Sequence, residues 1–313
     1  KRGFLPQSPK PHLRSRDRLV CTLPFGKPKT CIFFYNWLVS GAWDCQKTSM
    51  IKKPNIICIG SILWDVIGRA QTPMHQGSDM PGHITRLPGG VAMNIAMALK
   101  KYDLNPKILS TVGQDFEGLA LVRAAKSMGL DTSYLHRSSE LPTDQYMAIE
   151  ASNGLIAAIA DAHSLEAAGD LILQPLKDGR LGSIENPFQG IIALDGNLTH
   201  KLLSEIATAP YLALAEFRVA PASPGKAERL GVLLSHRRAT LYVNVEEAGI
   251  LCRQTFKDAK LAALSLISEG AHRVVVTHGA LATAMADSNG CITSVPPSVK
   301  ALRVTGAGDT FMA

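Results

Sequence analysis

No GxxxxGK[ST] phosphate loop occurs in this chain, no two cysteines are spaced as CxxC, and no histidine pair has the spacing of a zinc ligand set. The six cysteines stand at 21, 31, 45, 58, 252 and 291, which argues against a disulfide or zinc framework and for a reduced interior, with the cytoplasm as the expected location. Long apolar runs are missing too. The longest, Cys31 to Trp43 (CIFFYNWLVSGAW), is too short to span a bilayer, although its basic flank resembles a signal or transit segment. Residues 1–49 are therefore the one candidate for an organelle address, and no membrane partner is expected.

Excess charge is also missing from most of the chain. The net charge of +7 is accounted for by residues 1–50, where nine Lys/Arg face only Asp17 and Asp44, so everything after Met50 sums to zero. A neutral body offers no basic face to a polyanion, which excludes nucleic acid as the main partner. Residues 1–49 read as a disordered or read-through extension, with Met50 as the natural start of a domain over residues 50–313. With 46% apolar residues, that remainder can bury a sizeable core.

From Asn55 onward, short β-rich runs alternate with helical periods, the pattern of a layered α/β domain. Asn55 to Gly60, Lys107 to Val112, Gly190 to Asp195, Tyr211 to Ala215, Thr240 to Val245 and His272 to Thr277 read as strands. Val91 to Tyr102 reads as a buried helix, Gly118 to Met128 as one ending at Gly129, and Lys226 to Ser235 and Lys257 to Glu269 as amphipathic helices. Gln145 to Ala151 and Leu155 to Ala160 flank Ser152-Asn153-Gly154 as a hairpin. With His83 to Leu87 it forms a small projecting sheet, a lid drawn from about residues 80–88 and 143–161.

Five stretches carry candidate chemistry. In VTGAGDTFMA (Val304 to Ala313), the amides of Gly306, Ala307 and Gly308 precede a helix start and suit an anion, while Asp309 can take a proton from a hydroxyl. A plain tight turn reads equally from GxGD alone. A dinucleotide fingerprint is excluded, because a third glycine is missing where Phe311 stands. Gly89 and Gly90 let a small ligand approach the backbone, and Asn94 on the next turn can bond a sugar hydroxyl. Asp65 follows the first strand, at the usual binding edge of an open α/β sheet. Asn244 and Glu247 lie three apart and can hold a hydrated Mg2+ or its phosphate ligands, or simply form a capping box. Thr277 and Gly279 end a strand and offer a hydroxyl and open backbone to a nucleotide phosphate.

In this order the stretches resemble the PfkB, or ribokinase-like, carbohydrate and nucleoside kinases. The resemblance covers about Asn55 to Ala313 and rests on PGGVAMNIAMAL (Pro88 to Leu99) and VTGAGDTFMA, with TVGQDFEG, NVEEAGIL and VVVTHGA between them. It implies a three-layer α/β/α core with a small β-sheet lid, and ATP- and Mg2+-dependent phosphorylation of a hydroxymethyl group. Asp309 would be the base, with Gly306, Ala307 and Gly308 as its anion hole. Asp65, Gly89, Gly90 and Asn94 would hold the sugar, Asn244, Thr277 and Gly279 the nucleotide, and Glu247 the metal. A homodimer through the lid and a monovalent cation (K+) near the last loop are further implications.

Within the family, the hairpin TDQYMAIEASNGLIAAIAD, LDGNL and ASPGKAERL look most like pseudouridine kinases, with ribokinase or fructokinase as the runner-up and a non-catalytic nucleoside binder or inactive fragment as the competing class. Two positions depart from the family pattern: Ala282 stands where a second glycine is usual, and Arg303 replaces an acidic residue. Relatives continue past GAGD with elements that enclose adenine, so the resemblance also implies a chain cut short of that wall.

Overall fold

The computed structural model describes residues 53–299 and 306–313. The expectations for residues 1–49, and for the cation site beside Arg303, lie outside the described residues. The chain enters through β1 (Ile56–Ile59), wholly buried, and then leaves the main sheet for β2 (Leu63–Arg69) and β3 (His83–Gly89). Helix α1 (Val91–Lys101) follows, then β4 (Lys107–Leu109), β5 (Thr111–Gly113), α2 (Phe116–Ser127) and β6 (His136–Ser138). The hairpin β7 (Gln145–Ala151) and β8 (Gly154–Asp161) precedes short helices α3 (Ser164–Ala168) and α4 (Gln174–Lys177). The rest alternates: β9 (Ile191–Asp195), α5 (His200–Thr208), β10 (Glu216–Ala220), α6 (Gly231–Leu234), β11 (Ala239–Asn244), α7 (Val245–Cys252), α8 (Ala259–Ser268) and β12 (Arg273–Thr277). The antiparallel β13 (Thr283–Asp287) and β14 (Gly290–Ser294) and the closing helix α9 (Ala307–Met312) complete the described elements.

Eight strands form the main sheet in the order β14-β13-β12-β11-β10-β9-β1-β4, parallel from β12 to β4. Alternate residues of each strand supply two cores. Ile57, Ile59, Leu194, Phe217 and Val243 pack with α3 to α8 on one face, while Ile56, Cys58 and Ala193 pack with α1, α2 and Met312 of α9 on the other. This is the expected three-layer α/β/α arrangement, and it follows from the strands being apolar on both faces. Parallel order also brings the carboxyl ends of β1, β9, β10, β11 and β12 to one edge, where an open α/β sheet binds its ligands. Among the described residues, no helix is long and apolar enough to cross a membrane.

The small sheet has four strands, β3-β2-β7-β8, one more than the sequence suggests. Asp65 is placed just after the first strand by the sequence, but Leu63–Arg69 is a strand in its own right, paired to β3 over its whole length and to β7 from Trp64 on. Three other expectations are corrected. Lys107 to Val112 is two strands broken at Ser110, the second pairing with β6 in a separate two-stranded sheet. Tyr211 to Ala215 is not a strand. Pro210 opens a 3-10 turn over Pro210–Leu212, and the strand begins at Glu216, where Phe217 and Val219 are the inward residues. Lys226 to Ser235 is a 3-10 segment (Pro224–Leu230) running into the short α6 rather than one amphipathic helix.

Candidate active site

Helix α1 begins on Gly90, which has φ +92, and carries Asn94 on its first turn. Helix α9 begins on Gly306, left-handed at φ +79, and carries Asp309 on its own first turn. The two meet: Asn94 Nδ2 donates to Asp309 Oδ2 at 2.8 Å. Asp309 is largely enclosed, and burial pushes its carboxyl up to about 6; the Asn94 bond pulls the other way, and the carboxylates of Asp195 and Asp65 add to the rise. A carboxylate tuned to that range can exchange a proton near neutral pH. The amides that open α9 have no acceptor within the helix, so this end presents donors beside the carboxylate.

The glycine pair has a physical reason that differs from ligand approach. A Cβ on Gly89 would lie 2.2 Å from Asp65 Oδ2, and one on Gly90 would lie 2.5 Å from the Ser61 carbonyl oxygen. Both spaces are filled by the protein's own polar groups. Asp65, buried on β2, is thereby seated against the turn that starts α1.

Sequence reasoning gave no role to the group beneath this turn. Asp195, at the end of β9 and fully buried, accepts from Ser61 N (2.7 Å), Ser61 Oγ (2.6 Å) and Asn197 N (2.6 Å). Ser61 Oγ in turn accepts from Val91 N (3.0 Å) and from Asn197 Nδ2 (2.9 Å). Gly90 has no side chain to cap α1, so Ser61 supplies the cap from thirty residues upstream. Lys226 Nζ donates to Asn197 Oδ1. Burial raises the Asp195 carboxyl, opposed by its bonds from Ser61 and Asn197. The signal for this network was present in LDGNL and ASPGKAERL, which hold Asp195, Asn197 and Lys226.

A second group forms where β11 and β12 end side by side, with Asn244 paired to Thr277 in register. The capping box forms as one of the two readings of the sequence has it. Asn244 Oδ1 accepts from Glu247 N and Glu247 Oε2 accepts from Asn244 N, both at 2.8 Å. Asn244, Thr277 and Gly279 line one cavity of about 800 Å³, which also takes in Glu246, Arg253 and His278. Glu247 is buried, and burial raises its carboxyl, with Glu246 and Asp309 adding to the rise. Among the described residues no cluster of three or more His, Cys, Asp or Glu forms a metal cage. Among the described residues no Lys or Arg pairs with Glu247, and one hard carboxylate near other carboxylates fits Mg2+, which keeps most of its own water.

Comparison with known proteins agrees with this arrangement. The pfkB family carbohydrate kinase profile matches residues 53–313. The chain is 28% identical over 277 residues to a pseudouridine kinase from Escherichia coli, covering 84% of this chain and 83% of that one. It is 29% identical over 153 residues to the uncharacterized sugar kinase YeiI of the same organism, where the match spans 49% of this chain and 41% of the relative's length. A carbohydrate kinase structure from Agrobacterium tumefaciens shares the fold with a TM-score of 0.66 at 24% identity, over 82% of this chain and 80% of that one. With its profile matched from the first described strand to the last helix, this chain belongs to the pfkB family of carbohydrate kinases, phosphotransferases with an alcohol group as acceptor.

Proposed function

We propose that this chain transfers the γ-phosphate of ATP to the 5′-hydroxyl of pseudouridine, with Asp309 as the general base. The observation that carries the reading is the Asn94–Asp309 pair, a carboxyl near pKa 6 at the opening of α9 and in the field of Asp65. Asp309 accepts the proton as the hydroxyl oxygen attacks the γ-phosphorus, the bond to the bridging oxygen breaks, and ADP leaves with that electron pair. Gly306, Ala307 and Gly308 direct their amides at the charge that develops. Asp65 and Asn94, seated by Gly89 and Gly90, orient the sugar.

Kinases of this family use ATP and Mg2+. Asn244, Thr277 and Gly279 hold the nucleotide in the cavity they line. Glu247 holds the metal, which offsets phosphate charge when bound. The small sheet closes over the sugar. Its outer face exposes Ile84, Met147, Ile149 and Ile159, all brought to one side by the strand register, and we assign that face to a homodimer.

Pseudouridine is favoured over a free sugar because the pseudouridine kinase similarity extends over most of both chains, whereas the sugar-kinase similarity covers half of this one. Purified protein with ATP and Mg2+, offered pseudouridine, uridine, ribose and fructose in a coupled ADP-release assay, tests this. The expected result is highest kcat/KM on pseudouridine. Preference for ribose or fructose would move the assignment to a sugar kinase, and nucleoside binding without turnover would make the chain a non-catalytic binder.

A further inference from the structure

Helix α7 ends in a way that sequence propensity does not favour. The residue that caps its C-terminus, Arg253, is left-handed at φ 54 and ψ 38, a conformation that glycine adopts freely and a residue with a Cβ does not. The reversal is tight. Gln254 N donates to Gly249 O at 3.0 Å, and a Cβ on Gly249 would lie 2.7 Å from Gln254 O. Glycine is thus used inside the helix, where the chain doubles back, but not at the strained residue itself.

What arginine gains there is position. Arg253 lines the same cavity of about 800 Å³ as Asn244, Thr277, His278 and Gly279. No ion pair or side-chain hydrogen bond ties down its guanidinium among the described residues. Strain kept at the wall of a cavity, on a residue whose head group stays unengaged, is the pattern of a ligand contact. An arginine suits an anion with several oxygens, because its planar fork bonds two at once.

We propose that Arg253 is a nucleotide-binding residue whose guanidinium takes the polyphosphate of ATP in this cavity. The inference rests on the kinase reading above and adds a residue to it. The discriminating variant is Arg253→Gly, since glycine suits the left-handed end of α7 and removes only the side chain. The melting temperature should stay equal or rise. The KM for ATP, and the Kd for ATP by calorimetry without nucleoside, should increase about tenfold, as expected for loss of one charge-assisted contact. The KM for the nucleoside should stay within about twofold.

Arg253→Lys should recover part of the ATP affinity, and Arg253→Ala should lose it while melting lower than Arg253→Gly, because alanine keeps the strained Cβ. Wild-type ATP affinity in Arg253→Gly would overturn the proposal while leaving the kinase reading standing. A wild-type chain that bound no ATP would overturn both.

Discussion

Asn94 Nδ2 donates to Asp309 Oδ2 at 2.8 Å across 215 residues of sequence, joining the first turn of α1 to the first turn of α9. The bond favours the charged carboxylate, while burial and the charges of Asp195 and Asp65 disfavour it, and the balance is a carboxyl near 6. A base works deprotonated, so kcat/KM should fall as pH drops through about 6 and be level above it. Asn94→Ala removes the favourable bond. Its acid limb should move up by roughly half to one pH unit, with a higher KM for the nucleoside. A limb that stayed in place or moved down would show that Asn94 does not act on the base.

The same raised carboxyl has a stability consequence of known sign. Its folded pKa lies above the ordinary carboxylate value of 3.8, so the native state binds the proton more tightly and wild-type stability declines as pH rises from about 4 to 6. Above that range the full cost of the buried charge is present. Asp309→Asn lacks this cost and keeps an oxygen for Asn94. It should therefore match wild type below pH 4 and exceed it by about 1 kcal/mol above pH 7, the shift being discounted for residual water contact. Urea denaturation at the two pH values checks this, and a gap that is larger at low pH would contradict it.

Ser61 is a single hydroxyl serving three partners. Ser61→Ala leaves Val91 N without its cap, Asn197 Nδ2 without an acceptor and Asp195 Oδ2 short of one donor. The expected loss is about 2–3 kcal/mol in chemical denaturation, with an unchanged m-value. Ser61→Thr, which keeps the hydroxyl, should lose less, and equal losses would locate the effect in packing rather than in the shared oxygen.

Gly77 and Gly90 both have positive φ, +83 and +92, but different surroundings. A Cβ at Gly77 would meet nothing within 4 Å, whereas one at Gly90 would sit 2.5 Å from the Ser61 carbonyl. Gly77→Ala should cost about 1 kcal/mol of backbone strain. Gly90→Ala should cost more than about 3 kcal/mol, because the carbonyl it meets cannot move without dragging the Asp195 network with it. Comparable losses at the two sites would mean that the turn before α1 is open.

Much of this was legible in the chain. Strands β1, β9, β11 and β12 and the hairpin follow from apolar runs and turn residues, and α1 from a near-continuous apolar stretch. Boundaries failed where a short-range cue was overridden. Pro210 turned an apparent strand into a 3-10 step, and Pro224 did the same to an apparent helix start. Strand β2 was missed because its pairing with β3 and β7 comes from segments about 20 and 80 residues further on in the chain, which no local pattern encodes. Asp309, Asn94 and the Asn244–Glu247 pair could be singled out by residue type and spacing. Asp195 stands in LDGNL, but its role was not legible there, since it acts through Ser61, which in turn caps Val91, and only the folded sheet edge brings those positions together.

In the proposed reaction Asp309 removes the proton from the attacking hydroxyl. Steady-state phosphorylation of pseudouridine by wild type and Asp309→Asn at pH 8, with nucleoside affinity measured separately by calorimetry, tests it most directly. The expected result is a fall in kcat of about a thousandfold, with the Kd for the nucleoside within about twofold. An Asp309→Asn protein that turned over at the wild-type rate, or that lost nucleoside binding together with turnover, would contradict it.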